Sequence, residues 1–561
     1  MKKLIIFSFV LFFLGFAAQS IAQIQSRGEV QDQEFVIRKD RVLTLPTQPR
    51  IFEKLPVLPQ PKGLSDFNYQ VNFYDLNLPP VNLEATPVEK VYRPERMDIY
   101  PGFLKAGYGN FASPLIEARL MASEIYDLNY SAYLKHQSFG KGPVLAEQSK
   151  ESHSSAGGAV SYFLDQVEVF GGLNWAQDSY SFYGIDTSVV NDPNLEFMGI
   201  EGNVLNTIRF EAGIRDIEKT GPVSYEAKLN FRNFKDSYLV VENELGVQAK
   251  GTFRPADNWT GTVGLSYFMT TPEDEDYDLN RTYLGIRPKV SYQYEDFLIS
   301  AGINIISEND SLPDKASDFR IFPNLALSYQ FAEEFGFYGE FSGDVNRTTY
   351  HGFVLENPFL GPSTRLLNTV NNYKVAGGIE GQVQGIVNYK AGIDVSRYNN
   401  FHLFVNSPTD TTRFTLIYDD QVNVVNINAE LGLQLTDQYQ LNSRLDLFSY
   451  AMNTQEEAWH RPTWVLGINN QITPLDQLLV QANINVMGGI KARRATLPTT
   501  EVFQTVNLKT IADLQLKADY KITDKFGIFA EGNNLLNGRN ERWLNYPVRG
   551  VQLIGGAWLK F

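Results

Sequence analysis

Apolar and polar residues alternate one by one along much of this chain, which is the period of a β-strand and not the 3.6-residue period of a helix. In the last segment, one face carries Val551, Leu553, Gly555, Ala557, Leu559 and Phe561. The opposite face carries Gln552, Ile554, Gly556, Trp558 and Lys560. An apolar strip of about ten residues with no following helix to cover it is typical of a strand whose outer face meets lipid. A terminal strand with a free edge needs a partner, so we predict that it closes a barrel onto the first strand.

The same alternation recurs from Tyr100 onward and predicts an all-β fold, a transmembrane antiparallel β-barrel over residues 99–561. Long examples run over residues 223–231, 425–434, 478–486 and 506–520. The connections alternate between short turns and longer loops, as periplasmic turns and extracellular loops do in outer-membrane barrels. Counting the connections back from the C-terminus gives about 22 strands, and an error of one hairpin either way gives 20 or 24.

A barrel of this size encloses a lumen wide enough to leak solutes unless something obstructs it. Three obstructions are compatible with the sequence. The N-terminal segment could fold inward, the long outer loops could fold down into the mouth, or a separate partner could seal the lumen.

The C-terminal hairpin resembles that of a known family. Residues 528–537 read Ile-Phe-Ala-Glu-Gly-Asn-Asn-Leu-Leu-Asn, a loop with Tyr546-Pro547 follows, and the chain ends on Ala-Trp-Leu-Lys-Phe. This is similar to TonB-dependent outer-membrane receptors, in which an Asn-Asn-Leu-Phe/Leu-Asn motif closes the penultimate strand. Gly556, Leu559 and Phe561 resemble the terminal signal that the barrel-assembly machinery reads. The resemblance implies the outer membrane of a Gram-negative bacterium, contact with outer-membrane lipid, and an inner-membrane energy-coupling partner.

The N-terminal part of the chain differs from the barrel. Residues 1–22 have the basic start, apolar run and small residues of a secretory signal peptide. Residues 23–98 are rich in proline, and their one strand-like run contains Glu34, Phe35, Val36 and Ile37. This run could pair with a periplasmic partner by β-augmentation, or the segment could be an extended linker. The segment lacks the Gly-rich run of the plug domain in the resembled family, so a short plug, a tether and a separate plug protein all stay open.

Composition narrows the class of protein. The formal net charge of -15 argues against nucleic acid as a partner. The absence of cysteine excludes disulfides, thiol catalysis and thiolate metal sites. The 29 Tyr and 38 Phe suit the aromatic girdles of a membrane barrel.

Charged residues alternate with the apolar ones and are candidates to line the lumen. They are Arg209, Glu211, Lys228, Arg232, Arg287, Lys289, Glu340, Asp344, Lys390, Asp394, Arg444, Asp446, Lys509, Asp513 and Lys517. Such residues could guide a solute or dock a plug. They could equally form cross-strand ion pairs that satisfy one another, and the two interpretations are compatible.

The sequence gives no pattern for a cofactor, a metal site or an enzyme. The acidic run at residues 273–278 lacks the glycine and spacing of a calcium loop. The five histidines are far apart in sequence, and a hydrolase would need one of them beside a Ser or Asp at the barrel rim. We therefore expect a non-enzymatic outer-membrane barrel that takes part in transport of a solute or polymer. The alternative is a scaffold that anchors a periplasmic or surface complex without transport.

Overall fold

The structure is a computed structural model that describes most of the chain from Tyr100 onward. The described residues are 100–125, 127–185, 201–218, 221–310, 317–362, 364–408, 410, 412–436, 438–495 and 503–561. The predicted signal peptide and the segment of residues 23–98, with the run from Glu34 to Ile37, lie outside them. Among the described residues, no helix is both long enough and apolar enough to cross a membrane.

Twenty-two strands form one closed antiparallel sheet, in which each strand pairs with the next wall strand along the chain. The first eleven are β1 (Gly102–Gly109), β2 (Ser113–Ile125), β3 (Leu128–Phe139), β4 (Glu151–Leu164), β5 (Val167–Ser181), β6 (Gly202–Asp216), β7 (Val223–Lys235), β8 (Val241–Ala256), β9 (Trp259–Glu273), β10 (Arg281–Tyr294) and β11 (Phe297–Asp310). The others are β12 (Asp318–Ala332), β13 (Phe335–Asn346), β14 (Thr369–Val383), β15 (Val387–Asn399), β18 (Val422–Thr436), β19 (Tyr439–Ala451), β20 (Trp464–Leu475), β21 (Leu478–Gly488), β24 (Ile511–Lys521), β25 (Phe526–Asn533) and β28 (Gln552–Lys560).

Six further strands form hairpins inside three of the long loops. They are β16 (Phe401–Asn406) with β17 (Phe414–Asp419), β22 (Lys491–Ala495) with β23 (Phe503–Asn507), and β26 (Glu541–Trp543) with β27 (Tyr546–Pro547). The loop between β13 and β14 contains the helix α1 (Tyr350–Glu356), and a 3-10 helix covers Ala146–Ser149. All of these elements lie on the side of the long loops.

The ring closes where the sequence predicts, by pairing of β28 with β1. Phe103 lies opposite Lys560, and Gly109 lies opposite Ile554. The predicted alternation of the last strand is confirmed, since Leu553, Leu559 and Phe561 are exposed on the outer wall. Ile554 and Trp558 are buried on the inner face, and Gly556 follows their alternation, so it faces away from Leu559 and Phe561. The predicted number of 22 strands and the barrel fold are confirmed.

The short turns also lie where the sequence predicts them, between β2 and β3, β4 and β5, and so on to β24 and β25. One predicted strand is different. The alternation over residues 506–520 is continuous, but Val506 pairs with Ala492 in the loop hairpin β22–β23, and the wall strand begins only at Ile511. Lys509 therefore lies in a connection and not in a barrel strand. An alternation of period two shows which residues share a face of a strand, but it does not show which other strand they pair with.

Candidate functional site

The inner wall of the barrel carries charged residues that pair with their neighbours. On β6, Arg209 and Glu211 alternate with the exposed outward residues Ile208 and Phe210, so they point into the lumen. Ion pairs along the wall include Arg232–Glu242 (2.8 Å), Arg287–Asp344 (2.9 Å), Lys374–Glu340 (3.6 Å), Lys390–Glu380 (2.8 Å), Arg444–Glu430 (2.5 Å), Arg444–Asp446 (2.7 Å) and Lys517–Asp519 (3.3 Å). Five of these pairs join different strands, in agreement with the interpretation in which inward charges satisfy one another across strands, and the last two each join residues of one strand.

The remaining candidates lie on different parts of the wall. Lys228 is on β7, Lys289 on β10 and Asp394 on β15. Asp513, at the outer end of β24, accepts a hydrogen bond from the backbone N–H of Asn534 at 2.9 Å. The structure thus spreads these residues over the whole ring and does not gather them into one site.

The outer mouth of the barrel is covered by a layer of apolar side chains, which we call the cap. It consists of Phe182, Leu205, Phe234, Val240, Tyr350, Phe353, Val354, Phe359, Leu360, Leu366, Phe404, Phe414, Leu416, Trp543 and Tyr546, all of them buried. These residues come from the outer ends of β5 to β7, from the β13–β14 loop, and from the hairpins β16–β17 and β26–β27. Burial of so much apolar surface by loops is a strong driving force for their association.

The cap joins opposite sides of the ring. Arg413 lies in the hairpin between β15 and β18, the fifteenth and sixteenth strands of the ring, and Glu201 lies just before β6, the sixth. Arg413 Nη2 is 2.5 Å from Glu201 Oε2, although these strands are about ten positions apart in a ring of 22. The guanidinium of Arg413 also lies 4.3 Å from the ring centre of Tyr238. The outer loops therefore cross the mouth and meet above the lumen.

A second contact links the two ends of the barrel sequence. Arg549, in the loop before β28, is 2.8 Å from Glu151 at the start of β4. Phe359 and Tyr546 stack with their ring centres 3.5 Å apart, which joins the β13–β14 loop to the hairpin β26–β27. The cap is thus a single packed unit made of segments that are distant in sequence.

Glu242 anchors the β13–β14 loop to the wall. This residue of β8 is fully buried, and its carboxylate accepts hydrogen bonds from the backbone N–H groups of Tyr350 (2.8 Å) and His351 (3.3 Å). Both donors are in the first turn of α1, where N–H groups have no partner within the helix. Arg232 of β7 compensates the charge of Glu242 at 2.8 Å. A buried wall carboxylate therefore holds the loop by its helix.

A second anchor holds the two ends of the same loop. Arg281 of β10 donates to the carbonyl oxygen of Thr348 at 2.7 Å and to Asn368 Oδ1 at 3.0 Å. Asn368 in turn donates to Glu308 of β11 at 2.5 Å. The loop is thus fixed to β8, β10 and β11 by charged or amide groups, which are the strongest hydrogen-bonding groups of the wall.

His460 connects three outer loops at one point. Its Nδ1 donates to the carbonyl oxygen of Phe404 at 2.8 Å, and its Nε2 accepts from the backbone N–H of Leu544 at 3.3 Å. The backbone carbonyl of His460 also accepts from Arg542 at 2.6 Å. Only the neutral imidazole can donate with one nitrogen and accept with the other. Burial lowers the pKa of His460 to about 3, in agreement with this arrangement.

Acidification is expected to loosen the cap. Burial also lowers the pKa of His351, in α1, to about 3. Because a released loop binds protons below its ordinary histidine pKa of about 6.5 and the folded cap does not, cap stability falls as the pH drops from that value. The loss is about 1.4 kcal/mol per pH unit for each histidine until the pH nears the folded pKa. Measured relative to cleavage of an unfolded reference peptide at each pH, trypsin cleavage at Arg413 should therefore be faster at acidic than at neutral pH.

The control for this pH dependence is a histidine outside the cap. His136 lies on the same face of β3 as the exposed Leu134. His136→Gln should leave the pH dependence of cleavage unchanged, whereas His460→Gln should reduce it. Equal relative cleavage rates at acidic and neutral pH in the unchanged protein, after normalisation to the reference peptide, would contradict the assignment.

Two histidines do lie beside a Ser or an Asp, yet neither forms a hydrolytic site. His153 Nδ1 is 2.7 Å from Asp178, and its Nε2 is 2.7 Å from Glu151, so both nitrogens face carboxylates. His136 Nδ1 is 2.8 Å from Ser154 Oγ, but within the described residues no carboxylate orients this ring. A nucleophile, a base and an orienting group are all needed for the chemistry of a triad.

The sequence does not identify several residues that form or hold the cap, among them Glu242, Phe359 and His460. The sequence predicts long outer loops that could fold into the mouth, and the loop between β13 and β14 is one that packs into the cap. Its high content of large apolar residues, with Phe353, Leu360 and Leu366, was a signal that it packs against something.

Known proteins are similar to this chain in structure and not in sequence. No protein-family model and no curated protein matches it. The FrpB iron transporter of Neisseria meningitidis (F3-3 variant) is 11% identical with a TM-score of 0.65, over 82% of this chain and 81% of that one. The pyoverdine outer-membrane receptor FpvA of Pseudomonas aeruginosa is 12% identical with a TM-score of 0.63, over 82% and 78%. The ferric-catecholate import receptor Fiu of E. coli K12 is 9% identical with a TM-score of 0.61, over 82% of each chain.

These comparisons define the class of fold. The chain forms a barrel of the type found in TonB-dependent outer-membrane receptors, as its C-terminal hairpin indicates. The named neighbours are described as an iron transporter and as receptors. FpvAI is also known in a complex with pyocin S2, a protein partner. At 9–12% identity the likeness establishes the fold, and function has to be argued from the chain itself.

Proposed function

We propose that this protein takes part in the passage of a solute across the outer membrane of a Gram-negative bacterium, and that the cap is the outer gate of its lumen. The observation that carries the proposal is the crossing of the mouth by loops from opposite sides, as in the contact of Arg413 with Glu201. A barrel that served only as an anchor would not need a wide polar lumen with an apolar layer over its mouth.

The construction of the cap supports a gate. Its apolar side chains separate two wet compartments, and its loop is held by a few buried polar groups, such as Glu242 and Arg281, on the rigid wall. A ligand that competes for these groups, or pulls on the loop from inside, could release the loop without unfolding the barrel. A two-state element of this kind is what gating requires.

The test is single-channel conductance in planar bilayers. Three proteins are compared: the full chain, the chain lacking residues 24–95, and the chain with residues 350–366 replaced by a Gly-Ser linker of equal length. We expect the first two to stay closed, because the loops cover the mouth, and the third to conduct. Migration of unheated samples in gels verifies that each barrel is folded.

The outcomes separate transport from the scaffold alternative. A closed pore in the linker variant would mean that the cap is not the gate. If removal of residues 24–95 then abolished recovery of a periplasmic partner and left permeability unchanged, the barrel would be an anchor. If that removal alone opened the pore, residues 24–95 would be the plug. Pairing of the run from Glu34 to Ile37 with an energy-coupling partner, and reading of Gly556, Leu559 and Phe561 by the assembly machinery, stay predictions.

A further inference from the structure

One sector of the inner wall carries carboxamides in register on neighbouring strands. Six Asn and Gln side chains occupy one continuous row of directly paired positions on six strands from β14 to β24. They are Gln382, Asn388, Asn442, Asn469, Asn483 and Gln515. Gly432 of β18 occupies the one gap, opposite both Asn388 and Asn442.

A second row runs beside the first, one step nearer the short turns. Its members are Gln434, Gln440, Gln471 and Gln481. The positions alternate with outward residues such as Leu431 and Ile472, which are exposed on the lipid side. Both rows therefore face the lumen, and together they form what we call the amide wall.

The first row adjoins a recess of about 960 Å³. Gln382, Asn388, Gly432, Asn442 and Asn469 all line it. A Cβ added at Gly432 would lie 3.4 Å from Asn442 Oδ1 and 3.6 Å from the Cβ of Asn388, so the two amides flank this gap closely. The glycine leaves room for a ligand group between them.

Three amides in the middle of the row are available to bind a ligand, whereas Gln515 at its end donates to Asp513 at 2.7 Å. In the described part of the chain, Asn442, Asn469 and Asn483 make no side-chain hydrogen bond to other residues. Each carboxamide can donate two hydrogen bonds and accept two. The charges beside them are already paired, with Lys390 on Glu380 and Arg444 on Glu430 and Asp446. The recess thus offers neutral hydrogen-bonding groups beside four carboxylates and two cations, of which only Glu333 lies outside these ion pairs.

We propose that the amide wall binds a neutral polyhydroxylated solute, namely an oligosaccharide, on its way through the lumen. Neighbouring strands lie about 4.8 Å apart, so the row presents one amide at each such step. This step is close to the length of one sugar ring, and each ring carries hydroxyls that both donate and accept. An extended peptide repeats every 3.3 Å or so, and its groups would fall out of step with the row. A charged solute would also need a counter-charge to offset its loss of water, and the cations of this sector, Lys390 and Arg444, are already paired with carboxylates.

This inference rests on the proposed function, since it names the class of solute, but it is tested separately by binding. The purified full chain and the linker variant of residues 350–366 are titrated by calorimetry with neutral hexasaccharides of different linkages. The same titration uses hexaglycine, hexaglutamate and hexalysine. We expect at least one hexasaccharide to bind and the peptides not to bind.

Matched variants locate the binding. The triple variant Asn442→Ala, Asn469→Ala, Asn483→Ala should weaken sugar binding at least tenfold. The control variant Asn129→Ala, Gln248→Ala removes lumen amides from β3 and β8, outside the wall, and should bind as before. Both variants must show the gel migration of a folded barrel.

Three results would overturn the inference. They are no binding of any hexasaccharide to either protein, equal binding by the triple variant, and preferred binding of hexaglycine, which would assign the wall to peptides. If the linker variant conducts but no sugar binds, the proposal that the cap is the gate stands, and only the assignment of the amide wall as a sugar site is refuted. If the linker variant binds sugar but stays closed, the amide wall stands as a sugar site, and the proposal that the cap is the gate is refuted.

Discussion

Replacing Glu242 by alanine should open the mouth of the barrel to ions. The change removes the acceptor of two N–H groups of α1 and leaves Arg232 with only part of its counter-charge, on Glu244 at 3.2 Å. Breaking a buried ion pair from one side costs about 3–5 kcal/mol. We expect the β13–β14 loop to be destabilised and the barrel wall to stay folded, because the wall is held by its own backbone hydrogen bonds. Single-channel conductance should change from closed to open or flickering.

Glu168→Ala is the matched control for Glu242. Glu168 is also a buried wall glutamate paired with an arginine, at 2.5 Å from Arg215, but it lies near the short turns and far from the cap. This variant should lose less stability than Glu242→Ala, because the Arg215 that remains is 44% exposed to solvent, and it should remain closed. Open currents from Glu168→Ala, or a closed Glu242→Ala whose loop resists trypsin, would show that the anchor does not control the mouth.

Truncation of Tyr546 to alanine should destabilise the cap from the opposite side. The ring stacks on Phe359 at 3.5 Å and lies 4.9 Å from the ring of Tyr183, and its hydroxyl donates to the carbonyl oxygen of Thr412. Removal of a large buried aromatic side chain costs about 3–5 kcal/mol. Cleavage by trypsin at Arg413 should become much faster and the closed pore should leak.

Tyr546→Phe and Phe337→Ala distinguish packing from other effects. Tyr546→Phe keeps the stack and loses one hydrogen bond, so its effect should be about 0.5–1.5 kcal/mol, plus any penalty for the carbonyl left alone. Phe337→Ala removes an aromatic ring of equal size from the outer wall, where Phe337 is half exposed to lipid. The cap of this variant should resist trypsin as before. A Tyr546→Ala protein with unchanged cleavage would show that the stack is not needed.

The wall of the barrel could be predicted from sequence because its physics is local and repetitive. Each strand must present apolar residues to lipid at every second position, and each backbone group must find a partner in the ring. Residues 223–231 and the last strand carry this pattern plainly, and the alternation of short and long connections then fixes the number of strands. The motif ending at Asn537 marks the end of β25 because the backbone leaves the extended conformation there, with a positive φ of 49° at Asn534.

The cap could not be predicted in the same way, because it depends on contacts between loops that are far apart in sequence. Nothing in the neighbourhood of Arg413 indicates Glu201, and nothing near Glu242 indicates α1. The interruption of the predicted strand at Lys509 has the same origin, since the hairpin β22–β23 includes residues up to Asn507 of that predicted strand. On single strands the sequence shows only Asn and Gln at alternating positions. The rows become apparent only from the register, which places these residues opposite one another on neighbouring strands.

The link between Glu151 and Arg549 spans 398 positions of the chain. Contacts of such separation form late in folding, because they require a large loop to close first. The two residues can meet only after β28 has paired with β1, so a barrel that is still inserting has no complete cap. The permeability barrier at the outer mouth is therefore a property of the finished ring, and tightness of the mouth reports that biogenesis is complete.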